Sequence, residues 1–390
     1  MPKSVWLLVI GMLINVTGNS LLWPLNTIYM NEYLGKSLSV AGLVLMGNAA
    51  AGIVGNLLGG WMFDKVGGYK AIMLGITITL VALIGLNFWH GWPHYVWFMI
   101  LIGLGGGIVF PSMYALVGTT WPEGGRKGFN AIYLAVNVGV ALGPAAAGII
   151  ASYSFDYLFT ANMLMYIPFF FLALVAYKGY DRRAVASTNV VQESSRIDRK
   201  APFYALLLIS GAYLLAWVGY VQWQTTISTY TQEIGISLKQ YSLLWTINGA
   251  MIVLAQPLIA PLVKRLENRI KLQMVVGLVI MFSSFIVVAF AEEFSMFVVS
   301  MVILTLGEMF VWPAVPTIAN QLAPEGKIGF YQGIVNSTAT IGRMIGPLAG
   351  GILADVYGMS FMLLFITLFV GAAIIPALLY DRPLRQESSD

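Results

Sequence analysis

Long apolar segments alternate with short polar or Pro/Gly-rich segments along the whole chain. A helix that spans a bilayer needs about 20 mainly apolar residues, and twelve segments have this character. They are predicted at residues 5–29, 41–62, 70–89, 97–118, 129–151, 157–177, 203–229, 241–262, 272–291, 296–318, 330–353 and 360–380. The pattern therefore predicts an all-α membrane protein of about twelve transmembrane helices.

One long hydrophilic stretch divides these segments into two sets of six. Residues 178–201 are rich in Ser, Asp, Arg and Gln and lie between the sixth and seventh segments, as expected of a linker. We therefore predict an N-terminal six-helix bundle at 1–177, a linker at 178–201 and a C-terminal six-helix bundle at 202–390.

Composition excludes most alternatives to a membrane protein. Of the 390 residues, 58% are hydrophobic and 10% are charged, whereas a soluble domain carries about 25% charged residues. The chain has no Cys, which excludes disulfides and thiolate chemistry. It contains no phosphate-binding loop, no metal-ligand cluster and no nucleophile placed beside a base. We therefore expect neither an enzyme nor a bound cofactor or metal, and no nucleic-acid partner.

The basic residues predict the orientation in the membrane. If both termini are cytoplasmic, 18 of the 21 Lys and Arg residues lie on the cytoplasmic side, only Lys36 and Lys239 lie outside, and Arg343 lies within a span. Basic residues concentrate in cytoplasmic loops of membrane proteins. The expected location is the cell's inner (plasma) membrane, with both termini and the 178–201 linker in the cytoplasm.

The two halves of the chain repeat each other in order and polarity. An ordered series of matches at offsets of 200 to 203 residues pairs Gly35, Ser37, Leu38, Asn48, Leu104, Gly105, Pro111, Pro122, Gly143 and Pro144 with Gly235, Ser237, Leu238, Asn248, Leu306, Gly307, Pro313, Pro324, Gly346 and Pro347. Because each unit has an even number of spans, the copies should be related by an axis along the membrane normal. Such a design predicts a substrate site between the halves and transport by alternating access.

The loop after the second span carries a recognisable motif. The sequence Gly-Gly-Trp-Met-Phe-Asp-Lys-Val-Gly-Gly-Tyr-Lys at 59–70 resembles the signature loop of the major facilitator superfamily. Gly60 is predicted to let the end of the span approach a neighbouring helix closely, and Asp64 is an acid at the inner membrane face. With Lys65, Gly67 and Lys70, these residues are the predicted conformational switch.

The fifth and eleventh spans carry a second motif. Gly139, Gly143 and Pro144 in one half, and Gly346 and Pro347 in the other, resemble the antiporter motif of the superfamily's drug:proton antiporter (multidrug efflux) branch. This resemblance implies an exporter of small molecules. Drug-proton exporters often carry an Arg in the fourth span, but residues 97–119 contain none; proton coupling through that residue is excluded.

Two charged residues are predicted near the middle of the membrane, both in the second half. Glu308 lies at the centre of the tenth span and Arg343 in the eleventh, whereas their repeat partners, Gly106 and about Val140, are uncharged. An ionised carboxylate at this depth is costly unless it is protonated, paired or hydrated. Glu308 is thus the candidate for proton coupling or cation contact; the alternative is a structural salt bridge between Glu308 and Arg343.

Polar and aromatic side chains crowd the spans that line the cavity in this family. The predicted substrate cavity comprises Asn15, Asn19, Trp23, Asn26, Tyr114, Trp217, Tyr220, Trp223, Asn248 and Trp312. Amides and aromatic faces around one acid suit amphipathic or cationic molecules. We therefore predict a monomeric secondary active transporter in the lipid bilayer, with a small-molecule substrate and protons as partners, that exports drugs or other small molecules. The alternatives are an exporter of a sugar, metabolite or lipid-linked glycan, and a non-transporting sensor.

Overall fold

A computed structural model of the protein describes residues 1–121, 126–180, 200–266, 269–324 and 328–387. Its seventeen α-helices are α1 (Lys3–Leu22), α2 (Asn26–Ile28), α3 (Leu38–Val66), α4 (Gly68–Phe88), α5 (His94–Thr120), α6 (Arg126–Ala151), α7 (Phe155–Ala176), α8 (Lys200–Tyr220), α9 (Thr226–Glu233), α10 (Leu238–Leu254), α11 (Gln256–Arg265), α12 (Ile270–Ala289), α13 (Phe294–Leu322), α14 (Ile328–Tyr357), α15 (Met359–Ala372), α16 (Ile374–Leu379) and α17 (Arg382–Glu387). The described residues contain no strand. The predicted all-α fold is confirmed.

Contacts divide the chain into two compact units. The first unit comprises Met1–Val191 with Ser237–Gly249, and the second comprises Gln192–Ile236 with Ala250–Asp390. In the first, α3 packs against α5, and α1 packs against α6 and α7; in the second, α12 packs against α13 and α15, and α14 packs against α8. Most of the predicted 178–201 linker lies outside the described residues.

The helices are long and apolar enough to cross a membrane many times. Ten continuous helical segments meet the length and hydropathy of a membrane span, and an eleventh is formed by the pair α10 and α11. The remaining predicted span, at 330–353 and eleventh in chain order, corresponds to α14, which has 30 residues but carries Asn336, Thr340 and Arg343 among its apolar residues. A polar row on a membrane helix lies against protein or a water-filled cavity, because lipid cannot solvate it.

The first long helix of each unit is interrupted. After α1 the chain turns at Trp23–Leu25 and continues through α2 into a π-helix at Tyr29–Tyr33. After α8 it continues as a 3-10 helix at Val221–Gln224 and turns at Thr225 before α9. The two interruptions are repeat equivalents, so the internal repeat of the sequence extends to irregular backbone.

The loop before α3 and the loop before α10 are also alike. Gly35 and Gly235 both have positive φ (61° and 81°), a conformation that glycine adopts without strain. Two residues later, the hydroxyls of Ser37 and Ser237 each accept a hydrogen bond at 3.3 Å from the backbone N–H three residues on. This local match supports the repeat that the sequence indicates.

Candidate functional site

Glu308 lies in the interior of the second unit. It is on α13 and is only 2% exposed. Trp312, one turn further along the same helix, donates its indole N–H to Glu308 Oε2 at 3.1 Å. The Tyr220 hydroxyl at the end of α8 is also hydrogen-bonded to the Glu308 side chain. The carboxyl group is therefore held by polar groups of two helices rather than left unsolvated in apolar surroundings.

Four aromatic rings pack together beside this carboxyl group. Tyr213, Trp217 and Tyr220 are spaced four and three residues apart on α8 and so share one face of the helix. Trp217 stacks on Trp312 with ring centroids 4.6 Å apart and planes 9° apart. Tyr213 and Tyr220 meet the Trp312 ring edge-on at 5.5 and 5.4 Å. These four residues are called the aromatic cluster below.

Arg343 lies on the other side of the stacked tryptophans. Its guanidinium carbon is 4.7 Å from the centroid of the Trp217 ring, and its Nη2 donates a long hydrogen bond of 3.4 Å to Thr340 Oγ1. The side chain is exposed. Arg343 thus contacts an aromatic face and a hydroxyl, and the structure places the tryptophan pair, rather than a direct salt bridge, between its charge and that of Glu308.

The Gly-Pro motif of α14 packs against the interruption after α8. A side chain at Gly342 would place its Cβ 2.6 Å from Trp217 Cβ. Gln222, in the 3-10 turn, is fully buried and donates from its amide nitrogen to the carbonyls of Val218 (2.8 Å) and Gly346 (2.9 Å). Its amide oxygen accepts from the Thr226 hydroxyl at 2.8 Å. Gln222 therefore ties the broken helix to the motif.

The amide of Gln222 fits because of Gly350, a glycine four residues after Gly346 on α14. A Cβ at Gly350 would overlap the Gln222 side-chain oxygen and lie 2.7 Å from its Cδ. Glycine at position 350 is thus required by packing, and the second half of the predicted antiporter motif has a defined structural partner. In the sequence, Gln222 lies in a predicted transmembrane span that contains several polar residues. No local pattern around Gln222 connects it with position 350.

The first unit contains a cavity of about 240 Å³. Amide side chains, an indole, glycine backbone and apolar side chains line it, including Asn19, Trp23, Asn26, Asn48, Gly103, Gly106, Leu22, Met99 and Ile102. Gly106 is the repeat partner of Glu308, so the position that carries a charge in one unit is open space in the other. The cavity offers polar neutral groups and no ionised side chain among its lining residues.

Most predicted amides of this unit are held by internal hydrogen bonds. Tyr166 donates to Asn15 Oδ1 at 2.6 Å and lies 3.2 Å from Asn19 Oδ1, and Tyr95 donates to Asn26 Oδ1 at 2.8 Å. Asn48 donates to the carbonyl of Met99 at 2.6 Å. These bonds fix the amide orientations, so the cavity wall is built with its polar groups already positioned.

Other predicted cavity residues lie elsewhere. Trp223 is fully buried and meets Phe297 edge-on at 6.4 Å, and Tyr114 packs on Phe110. Asn248 is 1% exposed, and it is not among the residues described as lining the cavity of the first unit. The structure therefore brings Trp217, Tyr220 and Trp312 together around Glu308, and Asn19, Trp23 and Asn26 together around the cavity of the first unit.

The small residues of the fifth predicted span lie at a close helix crossing in the first unit. A Cβ at Gly139 would be 2.9 Å from Val16 Cβ, and one at Gly143 would be 2.8 Å from the carbonyl oxygen of Thr17. Pro144 follows at once, inside α6. The motif of this half thus allows α6 to pack directly on α1.

One packing prediction for the signature loop is wrong. A Cβ at Gly60 would meet nothing within 4 Å, whereas one at Gly59 would lie 2.7 Å from the carbonyl oxygen of Ile108 and one at Gly55 would lie 3.0 Å from Gly107 Cα. Gly55 and Gly59 are four residues apart and share a helix face, while the next residue points about 100° away. The close approach of α3 to α5 therefore depends on Gly55 and Gly59.

The rest of the signature loop forms a sharp turn between α3 and α4. Gly67 has φ 103°, which only glycine adopts readily, and Lys65 and Lys70 are exposed on either side. The side chain of Asp64 lies outside the described part of the structure. In the second unit, Lys271 at the equivalent turn binds Asp381 Oδ1 at 2.6 Å, a partner near the end of the chain that the sequence analysis did not identify.

Comparison with known proteins identifies the class and then the family. Two helical units of many membrane spans, each with an interrupted first helix, are the architecture of a secondary transporter rather than an enzyme. The family model of the Major Facilitator Superfamily matches residues 8–231 and 211–390. The chain therefore belongs to the Major Facilitator Superfamily.

Individual relatives support this membership. The chain is 54% identical over 385 residues to the "Uncharacterized MFS-type transporter YttB" of Bacillus subtilis, covering 99% of this chain and 97% of that protein. It is 23% identical over 363 residues to the "Quinolone resistance protein NorA" of Staphylococcus aureus, covering 92% and 91%. In fold it is similar to a crystal structure of a mutant peptide transporter POT, with a TM-score of 0.85, 16% identity and coverage of 99% and 95%.

Proposed function

We propose that this transporter exports amphipathic small molecules, including cationic drugs, in exchange for protons, with Glu308 as the residue that takes up and releases the coupling proton. The observation that carries this proposal is the burial of Glu308 beneath the aromatic cluster, where Trp312 and Tyr220 hold its side chain. A carboxylate in such surroundings favours a nearby cation, and protonation removes that attraction. Proton and cationic substrate would therefore compete, which is what exchange requires.

Three further observations support export of drugs over other cargo. Aromatic rings lie beside the Glu308 carboxyl group, and such rings attract apolar and cationic molecules. Relatives at low identity carry the names "Quinolone resistance protein NorA" and "Multidrug resistance protein MdtH". The Gly-Pro motifs of α6 and α14, which resemble those of drug:proton antiporters, favour the same assignment.

Transport by purified protein in liposomes tests this function. Because an antiporter moves substrate against the proton flow, an acidic lumen should drive accumulation of ethidium, a permanent cation that no pH gradient traps passively. The membrane potential is clamped with K⁺ and valinomycin, and protein-free liposomes serve as the control. Accumulation of a neutral sugar, or accumulation of ethidium only in an alkaline lumen, would contradict the proposal.

We further propose an orientation with both termini and residues 178–201 in the cytoplasm, and a switch role for Asp64 and its loop. The chain is naturally free of Cys, so single cysteines give clean reporters. In intact cells, a membrane-impermeant maleimide should label a cysteine at position 36 or 239 but not one at position 3 or 190. Labelling of positions 36 and 190 from the same side would rule out this topology.

A further inference from the structure

Arg343 is held loosely although it lies among membrane-spanning helices. Its hydrogen bond to Thr340 is 3.4 Å long, beyond the usual range for a strong N–H···O bond, and its side chain is exposed. Its other contact is the face of Trp217. One long hydrogen bond and one cation–π contact hold the guanidinium weakly. The guanidinium can therefore leave the ring at little cost.

The ring beneath it, in contrast, is fixed. Trp217 and Trp312 are stacked almost in parallel at 4.6 Å, so one face of Trp217 is covered by Trp312 and the guanidinium takes the opposite face. Tyr220 meets both indoles edge-on at 5.4 Å. The tryptophan pair is thus a rigid aromatic platform whose outer face is covered by a loosely held side chain.

The tryptophan pair also attracts positive charge electrostatically. Trp312 donates its N–H to the Glu308 carboxyl group at 3.1 Å, and donation to a carboxylate makes an indole ring richer in electrons. The Glu308 carboxyl group lies at the edge of the Trp312 ring, where the N–H points, and Arg343 lies over the face of Trp217. Electrostatics and ring chemistry therefore favour a cation on the outer face of Trp217.

We propose that the outer face of Trp217 is the binding site for planar, charge-delocalised cations, and that Arg343 is its resident occupant, which a substrate displaces. This inference rests on the proposed function for its physiological meaning. The guanidinium itself is planar and delocalised, and it marks the shape that the site accepts. A compact, tetrahedral ammonium ion cannot stack in this way and keeps its hydration.

Equilibrium binding by purified protein tests the site without any proton gradient. Calorimetric titration with ethidium is compared between the parent protein and Arg343→Met, which removes the competing cation but keeps an unbranched side chain. Because the ring no longer has an occupant, Arg343→Met should bind ethidium about two- to fivefold more tightly. Butylammonium, which has the same charge but is a compact primary ammonium that keeps its hydration, should show no comparable gain.

A double-mutant cycle separates competition for the ring from simple charge repulsion. Trp217→Leu should weaken ethidium binding and abolish the gain from Arg343→Met, and Trp217→Phe, which preserves more of the packing, should show an intermediate gain. Each variant is first checked for a monodisperse elution profile. An equal gain for both cations, or a gain that persists without Trp217, would overturn the proposal.

The binding experiment and the transport experiment test the two proposals separately. If the cycle behaves as expected but no pH gradient drives ethidium flux, the site stands and the proposed proton exchange is wrong. If flux occurs but the gain from Arg343→Met does not depend on Trp217, the transport function stands and this site is wrong.

Discussion

Glu308→Gln is expected to abolish proton-driven accumulation of ethidium and to weaken ethidium binding, while downhill movement of a neutral substrate continues. The amide oxygen that this substitution introduces can still accept the hydrogen bond from Trp312, and the side chain keeps its shape, so the buried position remains filled. What the variant loses is the ability to bind and release a proton. Accumulation in acidic-lumen liposomes should therefore fall to the level measured without a gradient, and ethidium should bind more weakly because the negative charge is gone; downhill movement of a neutral substrate at equal pH should continue.

The structure also distinguishes this outcome from loss of a structural salt bridge. Breaking a buried ion pair by removing one partner costs about 3–5 kcal/mol, and such a variant would express poorly. Arg343 instead contacts Trp217 and Thr340 and is exposed, so we expect Glu308→Gln to be produced at the parent level. Glu292→Gln, which removes an exposed carboxylate in the loop before α13, is the matched control.

The double variant Glu308→Gln with Arg343→Leu can contradict the role of Glu308 in proton coupling. If Glu308→Gln fails to accumulate as folded protein, and Glu308→Gln with Arg343→Leu restores both the folded protein and full pH-driven export, Glu308 is a structural partner and not the coupling residue. The comparison is made at matched protein amount, with uptake normalised to the quantity reconstituted.

Gly350→Ala is expected to destabilise the second unit strongly. The added Cβ would lie 2.7 Å from Gln222 Cδ, and Gln222 is held in place by hydrogen bonds with Val218, Gly346 and Thr226. Since the amide is fully buried, displacing it leaves polar groups unpaired at about 1–3 kcal/mol each. The measurement is thermal unfolding of the detergent-solubilised protein, followed by size-exclusion chromatography after heating.

The control variant and the rescuing variant for Gly350→Ala both lie in the second unit. A Cβ at Gly211 on α8 meets nothing within 4 Å, so Gly211→Ala should leave the unfolding temperature unchanged or raise it slightly. Gln222→Ala removes the obstructing side chain and should recover part of the stability lost by Gly350→Ala. Equal unfolding temperatures for Gly350→Ala and Gly211→Ala would show that the packing of Gln222 against position 350 is unimportant.

The sequence predicts the spans well and their interruptions poorly. Runs of apolar residues determine where helices cross the membrane, because the hydropathy of about 20 residues dominates the energy. The turn after α1 has a local signal in Pro24, which removes a backbone donor. The turn at Thr225 has no such local signal, because Gln222 beside it is held by Gly346, a residue distant in sequence. Local composition alone could not predict that pairing.

The candidate site was predictable in its chemistry but not in its arrangement. A lone acid in an apolar span already marks a functional position, and the burial of Glu308 follows from that placement. The tryptophan pair between Glu308 and Arg343 could not be foreseen, since it depends on the rotation of α8 relative to α13. The rotation of a helix also explains why the prediction for Gly60 is wrong. The sequence shows that the end of α3 is rich in glycine, but it does not show which face of α3 contacts α5.

The modest hydropathy of α14 has a consequence for biogenesis. Its Asn, Thr and Arg residues make its transfer from the translocon into lipid less favourable, whereas an 18-residue window of the following segment, Met359–Arg385, has a mean hydropathy of 2.6. The two are joined by a single glycine, Gly358, with φ 84°. We therefore expect α14 to enter the membrane as a hairpin with α15, after the ribosome has completed the last strongly apolar stretch of the chain.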